Sequence, residues 1–173
     1  MDLSGSWRYI EWVACERLKR NKTSHHVSVF GPEIETLGAA GELAARRFFG
    51  LNEELHTCFD GGTDLLIEGM HIDVKTTVLT RKIQRRFLQW PHWKPVKADI
   101  VLMTAVNPDR KIAVVIGYAT KSEILHAPVN SLRAYPCNEI PVQELHPASD
   151  LLTIAHRRPK AYPVRRRRCQ APG

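Results

Sequence analysis

The stretch from Phe59 to Thr77, FDGGTDLLIEGMHIDVKTT, constrains the fold of this chain more than any other. Leu65, Leu66 and Ile67 form a short apolar run. After Glu68-Gly69-Met70 the pattern alternates, Ile72 and Val74 against Asp73 and Lys75. Apolar runs bounded by glycine-rich punctuation read as strands, and a glycine between two such runs reads as a hairpin turn. Residues two apart on a strand share a face, so Asp73 and Lys75 point the same way. With Gly69 and Met70 as the central turn residues, Glu68 pairs with His71, and Asp64 lies opposite Lys75 with Asp73 on the diagonal. Directly opposed side chains sit about 4.5–5.5 Å apart at Cβ and diagonal ones about 7–8 Å. Two carboxylates and an ammonium group are therefore expected on one patch. The expectation depends on register, because a slip of one residue would send Asp64 to the other face.

At 173 residues, 43% of them hydrophobic, the chain can bury a core without disulfide staples. It is expected to divide into an N-terminal helix and connector (1–36), a main domain (37–156) and a basic, disordered tail (157–173). No apolar run is long enough to span a membrane, and the first residues lack the apolar block and cleavage site of a secretory signal. Cys15, Cys58, Cys137 and Cys169 have no paired metal-ligand spacing and suit a reducing compartment. The expectation is a soluble cytoplasmic protein, in the host cytoplasm if phage-encoded. Net charge is +7, and Arg165, Arg166, Arg167 and Arg168 supply four of those charges, which favours polyanionic partners.

Trp7, Ile10, Val13, Ala14 and Leu18 recur at helical intervals and predict a packing or dimerisation helix over 6–20, with Ser6 as N-cap. A homodimer is left open on that ground. Residues 21–36 read as a polar connector closed by Gly31-Pro32, with His25 and His26 solvated. A second helix is expected over 37–49, with Leu37, Ala40, Gly41, Ala44 and Phe48 as its apolar stripe and Gly50 as its stop. Its small residues between Gly38 and Gly41 would allow close approach to a sheet. Glu42 lies beside that stripe, and on a merely solvated face it would pair with Arg46 for about 0.2–0.5 kcal/mol.

Leu55 to Phe59 is expected to be a short strand. Residues 81–97 hold Arg81, Lys82, Arg85, Arg86, Lys94 and Lys97 with no acidic residue, and read as a mobile basic loop or a broken helix. Trp90 and Trp93 within it either stack on unpaired bases or pack onto the core. Strands are expected at 100–106 and 112–118 around an Asn107-Pro108-Asp109 turn. A capping box at Thr120–Glu123 should start a short helix, and 140–145 reads as an edge strand. The arginine-rich tail would hold nucleic acid loosely.

Glu42 in Gly41-Glu42-Leu43-Ala44, then Thr63-Asp64, then Asp73-Val74-Lys75 nine residues on, resembles the PD-(D/E)XK nuclease superfamily over roughly residues 37–120. Thr63 stands where the family name has proline, and the second acid is Asp. The resemblance implies an α/β fold with a restriction endonuclease-like αβββαβ core, a mixed central sheet flanked by helices. It also implies Mg²⁺-dependent hydrolysis of phosphodiester bonds in DNA, with Mn²⁺ able to substitute. The ligand chemistry agrees. Mg²⁺ is a hard ion held by one or two carboxylates plus water and substrate phosphate. Asp64 and Asp73 are the expected ligands, with the Val74 carbonyl as a further oxygen and Glu42 binding a second ion or orienting water. Lys75 would position the attacking water and stabilise the pentacovalent phosphorus, while His71 is peripheral.

The expected substrate is DNA, cut by an endonuclease in DNA processing or recombination. Resolvases, restriction endonucleases and phage nucleases all remain open, and in the last of these Gln84 or Gln89 would fill a downstream polar role. The DNA-holding set is the six basic residues of 81–97 together with Trp90, Trp93 and Arg165–Arg168. The alternatives are a non-catalytic nucleic-acid-binding protein that keeps the fold, and a scaffold acting through the first helix.

Overall fold

The N-terminal helix expected from its apolar spacing runs longer than predicted, as α1 (Trp7–Thr23), after a 3₁₀ turn at Ser4–Ser6. The computed structural model describes residues 1–23, 31–57, 63–132 and 135–155. His25, His26, Cys58–Gly62 and the tail, with Arg165–Arg168, lie outside the described residues. The second helix, α2 (Pro32–Phe48), begins five residues before the expected start. Pro32 occupies its first position, where a missing N–H costs nothing, and Glu33 and Glu35 suit the positive end of the helix dipole. Gly50, at φ 65°, closes it in the left-handed conformation.

The hairpin forms from β1 (Leu65–Ile67) and β2 (Met70–Val78), but its turn is Glu68-Gly69, not Gly69-Met70. Both central residues have positive φ, 49° and 84°, as a two-residue turn matching strand twist demands. Glycine accepts the second position freely, whereas Met70 there would be strained. The pairs are Leu65↔Ile72, Leu66↔His71 and Ile67↔Met70. The ladder stops at Leu65, so the expected Asp64–Lys75 pair does not form; Asp64 precedes the strand and donates its N–H to the Ile72 carbonyl. Relative to the expected register each partner moves by two residues, so every side chain keeps its face.

β2 runs parallel to β4 (Ile100–Asn107), which is antiparallel to β5 (Ile112–Thr120), giving a mixed sheet in the order β1-β2-β4-β5. A capping box at Thr120 and Glu123 then starts α3 (Lys121–His126), as expected. The basic segment 81–97 is a loop only in part, with a strand at its centre and turns and irregular chain over 92–97. After a 3₁₀ turn at Ile83–Arg85 it forms β3 (Phe87–Pro91), in which Leu88 and Trp90 alternate into the core. β3 belongs to a second sheet with β6 (Val129–Asn130) and β7 (Cys137–Pro141), ordered β3-β7-β6. The strand expected at 140–145 is therefore displaced to Cys137–Pro141. It is central in its sheet rather than at an edge, and Val142–Glu144 is a 3₁₀ turn. Leu55–Thr57, the described part of the strand predicted at 55–59, is irregular. A last helix, α4 (Ser149–Ala155), follows.

The main sheet is covered on both faces. Ile72, Val74, Ile100 and Leu102 pack with Ala45 of α2, with Phe49 just past its end and with Leu151 of α4. α1 lies on α2 through Trp7, Ile10 and Val13 against Ala40, Leu43 and Ala44. On the opposite face Val101 and Met103 meet Leu88, Trp90, Ile124 and Ile140. Gly41 makes the first contact possible, because a Cβ there would run into the side chains of Thr76 and Thr104. The protein is thus mixed α/β, a sheet of parallel and antiparallel strands flanked by helices. Among the described residues no helix is long and apolar enough to cross a membrane.

Candidate active site

Alternation along β2 sends Ile72, Val74 and Thr76 toward α2, and Asp73 and Lys75 toward the second sheet. Asp73 is only 3% exposed, and its carboxylate accepts a hydrogen bond from the Lys75 ammonium. A buried carboxylate needs such a partner, because its desolvation is otherwise costly. Asp64 precedes β1. Its Oδ2 accepts from the Val74 N–H at 2.6 Å, and its own N–H donates to the Ile72 carbonyl at 2.9 Å. β1 is three residues long, so β2 loses its backbone partner on that side beyond Leu65. The Asp64 side chain takes over the orphaned donor.

Glu42 is engaged elsewhere than expected. Arg17 of α1 grips it with both terminal nitrogens, Nη1 to Oε1 at 2.7 Å and Nη2 to Oε2 at 2.6 Å. Arg46, the expected partner, instead donates to the carbonyls of Asn52 and Asp64, both at 3.2 Å. Burial by itself would lower the Arg17 pKa. The paired Glu42 carboxylate, helped by the charges of Asp64 and Glu35, more than offsets that and raises it. Arg17 carries a readable signal: with Ile10 and Ala14 it continues the buried stripe of α1, an arginine on an apolar face.

Trp90 is nearly buried, and two ammonium groups lie over its ring, Lys75 Nζ at 5.0 Å and Lys94 Nζ at 5.1 Å from the centroid. Its indole N–H donates to the Lys94 carbonyl at 2.7 Å. Burial and the neighbouring charge of Lys75 lower the Lys94 pKa, against the opposing pull of Asp73 and Asp64. The charge of Asp64 thus acts on both Lys94 and Arg17.

Trp93, by contrast, is 73% exposed. The two tryptophans divide between the two roles that their sequence allows. Arg81, Lys82 and Arg86 line a cavity of about 480 Å³ together with Thr80, past the end of β2. Arg85 sits in the adjacent 3₁₀ turn, and Lys97 is exposed. The backbone carbonyl of Gln84 accepts from the Gln143 side chain, joining two 3₁₀ turns, and Gln89 donates to Glu139 Oε1 at 2.7 Å within the second sheet. His71 is exposed, with Nδ1 3.3 Å from Thr63 Oγ1 and its N–H donating to Asp99.

The structure therefore brings Asp64, Asp73 and Lys75 together and leaves Glu42 on the α2 side. Among the described residues no group of three or more His, Cys, Asp or Glu is arranged to hold a metal ion. Two carboxylates and the Val74 carbonyl are nevertheless hard oxygen donors of the kind and number that Mg²⁺ takes when water and phosphate complete its shell. No family model, no characterised relative and no solved structure matches the chain.

Proposed function

We propose that this protein is a metal-dependent deoxyribonuclease of the PD-(D/E)XK kind, with a restriction endonuclease-like core, that hydrolyses phosphodiester bonds as an endonuclease. The observation that carries the reading is the buried Asp73–Lys75 ion pair on β2, with the Asp64 side chain on the Val74 N–H between those two residues. Asp64, Asp73 and the Val74 carbonyl would hold Mg²⁺ or Mn²⁺, which when bound supplies Lewis acidity and lowers the pKa of water. Lys75 would position the attacking water and offset charge on the phosphorus. Glu42, held by Arg17 on the α2 side, would orient water. The basic residues around Thr80 and the exposed Trp93 would hold DNA beside the cut.

A second reading, a non-catalytic DNA-binding protein, is favoured by the saturation of these ion pairs: Lys75 already meets Asp73, and Arg17 occupies both Glu42 oxygens. Incubation with Mg²⁺ or Mn²⁺ and supercoiled, linear, single-stranded and four-way DNA separates the two. Cleavage of at least one substrate is expected. Salt-sensitive binding with every substrate left whole would contradict the nuclease reading.

A further inference from the structure

Past the end of β2 the chain folds around the cavity of about 480 Å³ lined by Thr80, Arg81, Lys82 and Arg86. Its backbone is pinned. The Leu79 N–H donates to the Val106 carbonyl at 2.8 Å, and the Ile83 N–H donates to the Thr80 carbonyl at 3.2 Å. At the other end, the Arg86 carbonyl accepts from the Val142 N–H at 3.1 Å. Three cationic side chains are thereby held around one concavity, with no acidic residue in its lining. Among the described residues no carboxylate is paired with any of the three. Like charges gathered without a counter-charge repel one another, and an anion that enters relieves the repulsion.

Shape and charge narrow the ligand. The volume falls within the range of about 300–1,000 Å³ typical of small-molecule sites, which admits a terminal nucleotide with its phosphate. An internal phosphodiester carries one negative charge and has chain on both sides of it. A phosphate monoester at a strand end carries about 1.5–2 charges and can enter a concavity head-on. Arginine forks match phosphate oxygens in pairs, and the Thr80 hydroxyl offers a further donor. The cavity also lies beyond the carboxyl end of β2, which runs parallel to β4, and α/β sheets take their ligands at such ends. Thr80 is five residues from Lys75, at most about 18 Å away, so one DNA strand can reach both.

We propose that this cavity binds the terminal phosphate monoester of a DNA strand, with Arg81, Lys82 and Arg86 on its oxygens, and so directs the protein to phosphorylated strand ends. The phosphate is held there, not cut. The inference rests on the deoxyribonuclease reading and adds to it the class of DNA that the protein engages.

Fluorescence anisotropy in EDTA tests it, on DNA of one sequence bearing a 5′-phosphate, a 3′-phosphate or only hydroxyl ends. Wild type should bind one phosphorylated form about 10-fold or more tightly than the hydroxyl form, the worth of a hydrogen bond to a charged group. In Arg81→Gln and in Arg86→Gln that ratio should fall toward one. Lys121→Gln, which removes an exposed charge elsewhere, should keep it. The ratio is taken within each protein, so a general loss of charge cancels. Equal binding of the three forms by wild type, or none, overturns the site, and so does a preference that survives in both arginine variants. Cleavage with Mg²⁺ is scored separately. A wild type that prefers phosphorylated ends and cuts nothing keeps the site and loses the nuclease reading, and one that cuts without any preference does the reverse.

Discussion

Arg17 of α1 and Glu42 of α2 face each other through two hydrogen bonds of 2.7 and 2.6 Å, with side chains only 15% and 12% exposed. The pair fastens the first helix to the second beside Asp64. Removing one partner of a buried pair strands the other's charge, which costs about 3–5 kcal/mol at full burial. Arg17→Ala is expected to approach the lower end of that range in urea unfolding. Arg17→Met combined with Glu42→Leu should recover most of the loss. An Arg17→Ala midpoint equal to wild type would show that the contact contributes nothing.

Gly41 faces Thr76 and Thr104, and a methyl group there would press on both. Helix propensity alone would make Gly41→Ala stabilising by about 0.8–1 kcal/mol. Overpacking is expected to reverse the sign, giving a net loss of about 1–3 kcal/mol. Thr76→Ala in the same chain should relieve part of it, and thermal unfolding of the two singles and the double measures the coupling.

The two tryptophans of the basic segment should respond oppositely. Trp90→Ala empties a core site between β3 and the main sheet and should cost about 3–5 kcal/mol of stability. Trp93→Ala should leave stability unchanged and weaken single-stranded DNA binding by about 1–3 kcal/mol, the usual worth of one stacked base. Calorimetry and fluorescence anisotropy on both variants read the contrast.

Particular residues explain what was legible in the sequence and what was not. Strict alternation from Ile72 to Lys75 and the small residues before Glu42 are local patterns, so the hairpin and the close helix were legible. The turn was misplaced because Glu68 accepts positive φ here, a preference that its side chain does not advertise. β3 was hidden by Pro91, Pro95 and the surrounding charge, although Leu88 and Trp90 already alternate into the core. The Arg17–Glu42 pair joins residues 25 positions apart, and only tertiary packing creates it.

Glu123 accepts from the Thr120 N–H at 2.7 Å and stands 2.6 Å from His146 Nε2. Burial would raise its pKa, but the Thr120 donors and His146 outweigh burial and lower it. A carboxyl whose folded pKa is depressed stabilises the protein above its unfolded pKa, and that contribution is lost as pH falls through the folded value. The stability advantage of wild type over Glu123→Gln should therefore be present at neutral pH and vanish in acid below the ordinary glutamate range. Urea midpoints of both proteins across that span measure it, and a gap that widens in acid would have the wrong sign.

The central claim is that the Asp64, Asp73 and Lys75 cluster cuts DNA with a divalent ion, and Asp73→Asn tests it most directly. The substitution keeps shape and removes charge. Wild type with Mg²⁺ should cleave at least one DNA form, and EDTA should stop it. Asp73→Asn, with its fold confirmed by circular dichroism, should lose that cleavage and still bind DNA. Cleavage by Asp73→Asn at the wild-type rate would contradict the account.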